Sequence, residues 1–133
     1  MIFDIRLLND TDYENILVGW WNDWKWTAPS KDFLPDSGLI VYDGDIPICA
    51  GYLYTTNSGV AWVDWIISNF DYKDKENRKQ ALNLLVDTLT NISKDSGFKY
   101  CYALIKNKSL INIYKELGYT QADSYTSEMI KKL

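Results

Sequence analysis

A chain of 133 residues is the size of one domain, and 47% hydrophobic with 24% charged residues is the balance of a folded protein, not a disordered one. The net charge of -4 argues against a general nucleic-acid binder, which needs a basic patch, and no apolar run reaches the ~18 residues of a membrane span. Histidine is absent, which excludes a Ser-His-Asp triad, a Cys-His pair and a His-ligated zinc site, so acid-base chemistry falls to Asp, Glu, Tyr, Lys or a bound water.

Met1 to Arg6 lacks the basic flank and apolar core of a signal peptide, so a cytoplasmic protein is expected. Phe3, Ile5 and Leu7 alternate with Asp4 and Arg6, the pattern of a first strand. Asn9 to Asp12 marks a helix start, with Thr11 and Glu14 at capping-box spacing. Tyr13, Ile16, Leu17, Trp20, Trp21 and Trp24 then form a helical stripe. Core packing is the plain reading of that stripe. Four indoles within Trp20 to Trp26 also leave open a wall for a ligand cleft. Its mostly acidic charges speak against a membrane-surface helix.

Lys25 to Gly38, with Pro29 and Pro35, reads as a long loop or short helix of the kind that lines sites. Leu39–Tyr42, Ile46–Thr56 and Val60–Ser68 read as an antiparallel meander, turning at Asp43-Gly44 and Asn57-Ser58-Gly59. Gly51 inside the second strand points to a bulge or a close backbone approach. Cys49 and Cys101 lie far apart in apolar runs and read as buried, reduced thiols. Asp64, on the face expected to carry Trp62 and Ile66, is the oddity of the third strand. A carboxylate there is either paired with Lys or Arg, or functional.

A polar turn leads from Asn69 to Asn77. Leu82, Leu85, Val86, Leu89 and Ile92 then give one face of a long helix, closed by Gly97. Phe98–Ile105 reads as a strand running parallel to Val60–Ser68, because a helix connects the two. Asn107 starts a second helix with Leu110, Ile113, Tyr114 and Leu117 on one face and Gly118 at its end. A final strand pair is expected from Tyr119 to Lys131, turning near Ala122-Asp123-Ser124.

The segment Asn107 to Tyr119 resembles the late motif of the GNAT superfamily of acyl-CoA N-acyltransferases, matching at Asn107, Tyr114, Gly118 and Tyr119, with Leu110 in place of a usual Ala. Element order extends the resemblance over nearly the whole of residues 1–133, as a single domain similar to small members, some of them carried by bacteriophages. The implied fold is α+β: a mixed antiparallel and parallel sheet of about six to seven strands with helices on both faces. Where the family usually carries Arg or Gln and then glycines at the long helix start, this chain reads Glu76-Asn77-Arg78-Lys79-Gln80-Ala81.

The resemblance implies an acetyl-CoA-dependent N-acetyltransferase without a metal. The donor enters where Val60–Ser68 and Phe98–Ile105 splay. Its pantetheine arm pairs with the backbone of Ile66, Ile67 and Ser68, and its pyrophosphate faces the amides of Lys79, Gln80 and Ala81, with charge from Arg78 and Lys79. Asn107 belongs to the same motif, either as a cofactor contact or as a plain N-cap. Tyr114 is the candidate proton donor to the leaving thiolate, or else a core aromatic. Asp64 is the candidate base for the acceptor amine. The acceptor, a small or peptide amine, is expected between residues 24–36 and the central strands, near Asp32, Asp36 and Asp64. A catalytically inactive binding module of the same fold, or a Trp-rich face that docks a partner such as a second copy, is the alternative.

Overall fold

The computed structural model describes residues 2–125 and 127–133. Five strands form one sheet in the order β1 (Asp4–Leu7), β2 (Gly38–Asp43), β3 (Ile46–Tyr54), β4 (Val60–Ser68) and β5 (Tyr100–Tyr102). The first four are antiparallel neighbours, and β5 joins β4 in parallel with Val60 opposite Tyr100, Ala61 opposite Cys101 and Trp62 opposite Tyr102. The parallel contact follows from chain direction. The long helix α2 (Lys75–Asp95) carries the chain back across the sheet before β5 begins.

Helices cover both faces. On one face α2 and α3 (Lys108–Glu116) bury Val41, Ile48, Leu53, Val63, Leu85, Leu89 and Tyr114. On the other, a π-helical turn (Tyr13–Leu17) continues as α1 (Val18–Asp23) and buries Leu17, Trp20 and Trp21 against Ile40, Ala50, Tyr52 and Ile67. Trp20 and Trp21 are core, whereas Trp24 is half-buried and Trp26 is 48% exposed. The Thr11–Glu14 capping box does not form. Asp12 takes that end instead, accepting the Asn9 amide at 2.7 Å and pairing with Arg6 at 2.8 Å, which ties β1 to the helix.

The inward face of α2 is Ala81, Leu85, Val86, Leu89 and Ser93, rotated slightly from the apolar stripe, so that Ile92 is exposed and Ser93 is buried. Ser93 satisfies its hydroxyl on the Leu89 carbonyl at 2.9 Å. Gly97 and Gly118 close α2 and α3 at φ +94° and +97°, as their positions require.

Two expectations fail. The sheet has five strands among the described residues, not six or seven, and β5 is three residues long. Phe98 is used to close α2, its amide bonding the Ser93 carbonyl at 3.1 Å. The final strand pair is not present in residues 119–125 or 127–131, and Thr126 lies outside the described residues. Tyr119 turns back instead, its ring 4.8 Å from Tyr114 and its hydroxyl 2.6 Å from Thr90 Oγ1, and Tyr125, Met129 and Ile130 of the expected return strand are exposed.

Gly51 does sit at a bulge. Between Ala50–Ile67 and Tyr52–Asp64, Gly51 alone on β3 faces two residues of β4, Trp65 and Ile66. A Cβ on Gly51 would lie 2.4 Å from Ile66 Cδ1 and 3.3 Å from Leu89 Cδ1. Gly51→Ala is therefore expected to cost about 1–3 kcal/mol through overpacking. Urea unfolding of Gly51→Ala, Ile66→Val and the double variant checks it. The double variant should be less destabilised than the sum of the two, because the Cδ1 at fault is gone.

Candidate active site

The bulge makes Trp65 adopt φ +55°, a left-handed conformation that bulky side chains rarely take and that collects at functional sites. It also reverses the strand's alternation. Ala61 and Val63 face α2 and α3; past the bulge Ile66 does so, while Trp65 and Ile67 face α1. Asp64 thus shares its face with Trp62 but not with Ile66, contrary to simple alternation.

Beyond Trp62 and Tyr102 the two parallel strands part. The amide of Tyr100 bonds the Gly59 carbonyl at 3.0 Å, which sets which residues point across the ladder. Continued two residues at a time, Leu104 N–H would reach the Val63 carbonyl and Trp65 N–H would reach the Leu104 carbonyl. Neither bond forms. The Asp64 carboxylate stands between the strands instead. Its Oδ2 accepts Leu104 N–H at 3.1 Å and its Oδ1 accepts Trp65 N–H at 2.9 Å. The Val63 carbonyl, left without a strand partner, accepts the Tyr114 hydroxyl at 2.7 Å. Three of the groups freed by the parting, the Leu104 and Trp65 amides and the Val63 carbonyl, are satisfied by these two side chains.

Asp64 has no Lys or Arg partner among the described residues, so the expected choice between a salt bridge and a functional carboxylate is resolved differently, by backbone amides. Burial pushes its pKa above the usual carboxylate range, the two amide bonds oppose that, and Glu128 adds a repulsive charge. Tyr114, on α3, is 3% exposed, and burial first and the charge of Asp64 second push its phenol above the ordinary value. Its hydroxyl proton is committed to Val63, so Tyr114 braces the strand end as well as packing in the core.

The cofactor residues are placed less favourably. Past Trp62, β4 has no strand on its β5 side among the described residues, which leaves Ile66 and Ile67 beside an open edge, but the Ser68 carbonyl accepts Trp24 Nε1 at 2.8 Å. The helix begins one turn earlier than the resemblance places it. Asp74 caps it by accepting Asn77 N–H at 3.0 Å, and Arg78 N–H already bonds the Asp74 carbonyl at 2.9 Å. The amides of Lys79, Gln80 and Ala81 are therefore interior to the helix and spent on its own ladder, which corrects their assignment to the pyrophosphate.

Arg78 turns inward. Its guanidinium donates to the Tyr72 carbonyl, reaches the Asn69 carbonyl at 3.4 Å and lies 5.8 Å from the Trp24 ring, clamping the β4–α2 loop instead of facing outward. Lys79 pairs with Glu116 on α3 at 3.5 Å, and Gln80 is exposed near Glu76. Asn107 is the N-cap of α3, accepting Leu110 N–H at 3.0 Å. Asp32 and Asp36 are exposed, and Asp32 accepts from Ser30 at 2.7 Å. Cys49 is buried, Cys101 is half-buried, and both are free.

Several participants could not be read from residue types. The Leu104 amide and the Val63 carbonyl are backbone groups, invisible in a pattern of side chains. Trp65 occupies a position where glycine would have been the signal. Asp74 was legible as a helix-start acid, three residues before Asn77. Two surface grooves, of about 190 Å³ beside Glu76, Lys79, Gln80 and Asn83 and about 570 Å³ between the end of α2, β5 and Gly118, do not include Asp64.

No protein-family model matches the chain, and no curated protein does. Solved structures do. Glucosamine-6-phosphate N-acetyltransferase from Arabidopsis thaliana aligns over 98% of this chain and 100% of its own, at 10% identity and a TM-score of 0.67. A GNAT family acetyltransferase from Staphylococcus aureus aligns over 98% of this chain and 100% of its own, at 18% identity and a TM-score of 0.62. N-acetylglutamate synthase from Neisseria gonorrhoeae, solved with coenzyme A and L-arginine, aligns over 91% of this chain and 28% of its own, at 14% identity and a TM-score of 0.70. The chain has the fold of the GNAT acetyltransferases. No helix among the described residues is long and apolar enough to cross a membrane.

Two outcomes follow from the bonds at the parting. Tyr114→Phe leaves the buried Val63 carbonyl unpaired and is expected to destabilise the protein by about 1–3 kcal/mol, read from urea midpoints. The second concerns pH. With its pKa raised above 3.8, folded Asp64 holds a proton that the unfolded chain has lost, so its contribution to stability is present at low pH and declines as pH rises through the raised value. The stability of the wild type relative to Asp64→Asn should fall across that window. A flat difference would show that the carboxylate does not titrate abnormally.

Proposed function

We propose that this protein is an N-acetyltransferase that moves an acetyl group from acetyl-CoA to an amine by direct attack. The observation that supports the reading is the parting of β4 from β5 at Asp64. It leaves an unpartnered β4 edge at Ile66 and Ile67, and it sets a carboxylate and a phenol side by side at its apex. An extended pantetheine arm is the kind of chain that lies along such an edge. The amine nitrogen bonds to the thioester carbonyl carbon, the carbon–sulfur bond breaks, and the thiolate takes a proton. Asp64 first takes a proton from the bound ammonium so that the neutral amine attacks, Tyr114 donates its proton to the sulfur on leaving Val63, and the phenolate so formed takes the second proton from the acylated nitrogen. The acetyltransferases that share the fold support the class of reaction and leave the substrate open.

One observation favours the second reading, a module of the same fold that does not catalyse. The N-terminus of α2, where an anion would be drawn, is capped by the carboxylate of Asp74 and followed by Glu76, and Arg78 points away from it. Calorimetry with coenzyme A and acetyl-CoA separates the two. Saturable binding keeps the transferase, and none at millimolar ligand favours the module. Asp74→Ser keeps a capping oxygen and removes the charge, so it should tighten coenzyme A binding by about two- to fivefold, the range for one charge at a helix end. Equal affinity in Asp74→Ser would mean that the pyrophosphate does not approach α2.

A further inference from the structure

We infer that the face of the sheet around Asp64 binds a small primary ammonium carried on an apolar, aromatic body, and that this is the acceptor. The inference rests on the transferase reading only in calling that amine an acceptor. Three observations carry it.

Asp64 is a largely buried carboxylate with no cation paired to it among the described residues, and the charge that does reach it is that of Glu128. An uncompensated buried anion is costly, and two amide bonds leave half of its acceptor sites unused. Its neighbours on that face are aromatic. Trp62 stands two residues before it, with the Tyr102 ring 4.4 Å away, and Tyr54 lies across from Trp62 on β3, close enough to sense the Asp64 charge. Aromatic faces attract an ammonium and also accept an apolar ring, a pairing that a carboxylate ligand does not match.

The face is also uncovered. Cys101 on β5, with Ala103 and Ile105 beyond it, packs against the core, whereas Tyr102, beside Trp62, is 38% exposed and Leu104, whose amide bonds Asp64, is 52% exposed. The edge of this area nearer α1 is closed by Phe33, whose ring meets Trp65 edge-on at 5.7 Å and whose carbonyl accepts the Tyr54 hydroxyl at 2.8 Å. The result is an aromatic floor with one carboxylate at its inner end, opening beside the parted strands.

Three ligands separate charge from body: 2-phenylethylamine, 3-phenylpropionate with a similar ring and the opposite charge, and ethanolamine with the ammonium and no ring. Calorimetry and chemical shifts of the Trp62 indole should show saturable binding of the first, about tenfold or more tighter than either other. Tyr102→Leu, a substitution at an exposed position, should weaken it several-fold, and Asp64→Asn more so. Should Asp64→Asn fail to fold, the anionic ligand and Tyr102→Leu decide the matter with Asp64 intact. Equal binding of 3-phenylpropionate, no binding of the amine at millimolar concentration, or indifference to Tyr102→Leu overturns the inference. So does sedimentation showing a second copy seated on Tyr102 and Leu104. Coenzyme A is titrated separately. Coenzyme A binding without amine binding sinks the inference and spares the transferase, and the reverse result keeps the amine site and sinks the transferase.

Discussion

A parallel ladder cannot simply stop inside a protein. Every amide and carbonyl that loses its strand partner must find another, at a cost of about 1–3 kcal/mol for each one left buried and bare. Here the Asp64 carboxylate takes both orphaned amides, Leu104 and Trp65, and the Tyr114 phenol takes the Val63 carbonyl. With those three bonds in place β5 can leave β4 after three residues, and α3 is fixed against the strand by its own buried tyrosine. The free edge of β4, the placing of α3 and the exposure of the aromatic face all descend from this arrangement. Asp64 and Tyr114 are thus held by the needs of the backbone, whatever chemistry they also perform.

The two ends of the opening make opposite demands on a bound donor. Along β4 the edge is free at Ile66 and Ile67, while at its far end the Trp24 indole already holds the Ser68 carbonyl. At α2 a carboxylate sits where an anion would be attracted, and the nearest arginine is spent on the loop behind it. A ligand in the opening would therefore meet backbone pairing and shape more than favourable charge at the helix end. A donor gripped chiefly by its pantetheine arm fits that distribution better than one gripped by its phosphates.

Much of the architecture was legible from residue patterns. Val60–Ser68 is the span read from its β-branched and aromatic run, its parallel partner followed from an intervening helix, and Gly97 and Gly118 close the helices they were expected to close. Gly51 announced a bulge, but the partner that bends is Trp65, for which no residue pattern argues. That single residue then overturned the alternation used to place Ile66. The start of α2 was misjudged for a related reason. The family resemblance put the exposed helix start at Lys79 to Ala81, whereas the local chemistry of Asp74 and Asn77 begins the helix at Lys75. The last strands are absent because Tyr119, expected to start them, turns back onto Tyr114 and Thr90, and Tyr125, Met129 and Ile130 stay exposed. The site was legible to the extent that Asp64 and Tyr114 stood out as residue types. Their backbone partners were not, since a sequence does not show which carbonyl or amide will be orphaned.

The brevity of β5 has a consequence for how the molecule behaves in a crowd. An outer strand offers its unpaired amides and carbonyls to any neighbouring chain, and long flat edges grow into aggregates. Tyr100, Tyr102 and Leu104 would make this edge adhesive if it were longer. Three residues offer a visitor too few bonds to hold, and Lys99 and Lys106 stand at either side of the segment to repel a second copy in register. The same shortening that opens the sheet to a ligand thereby keeps its border from seeding lateral growth.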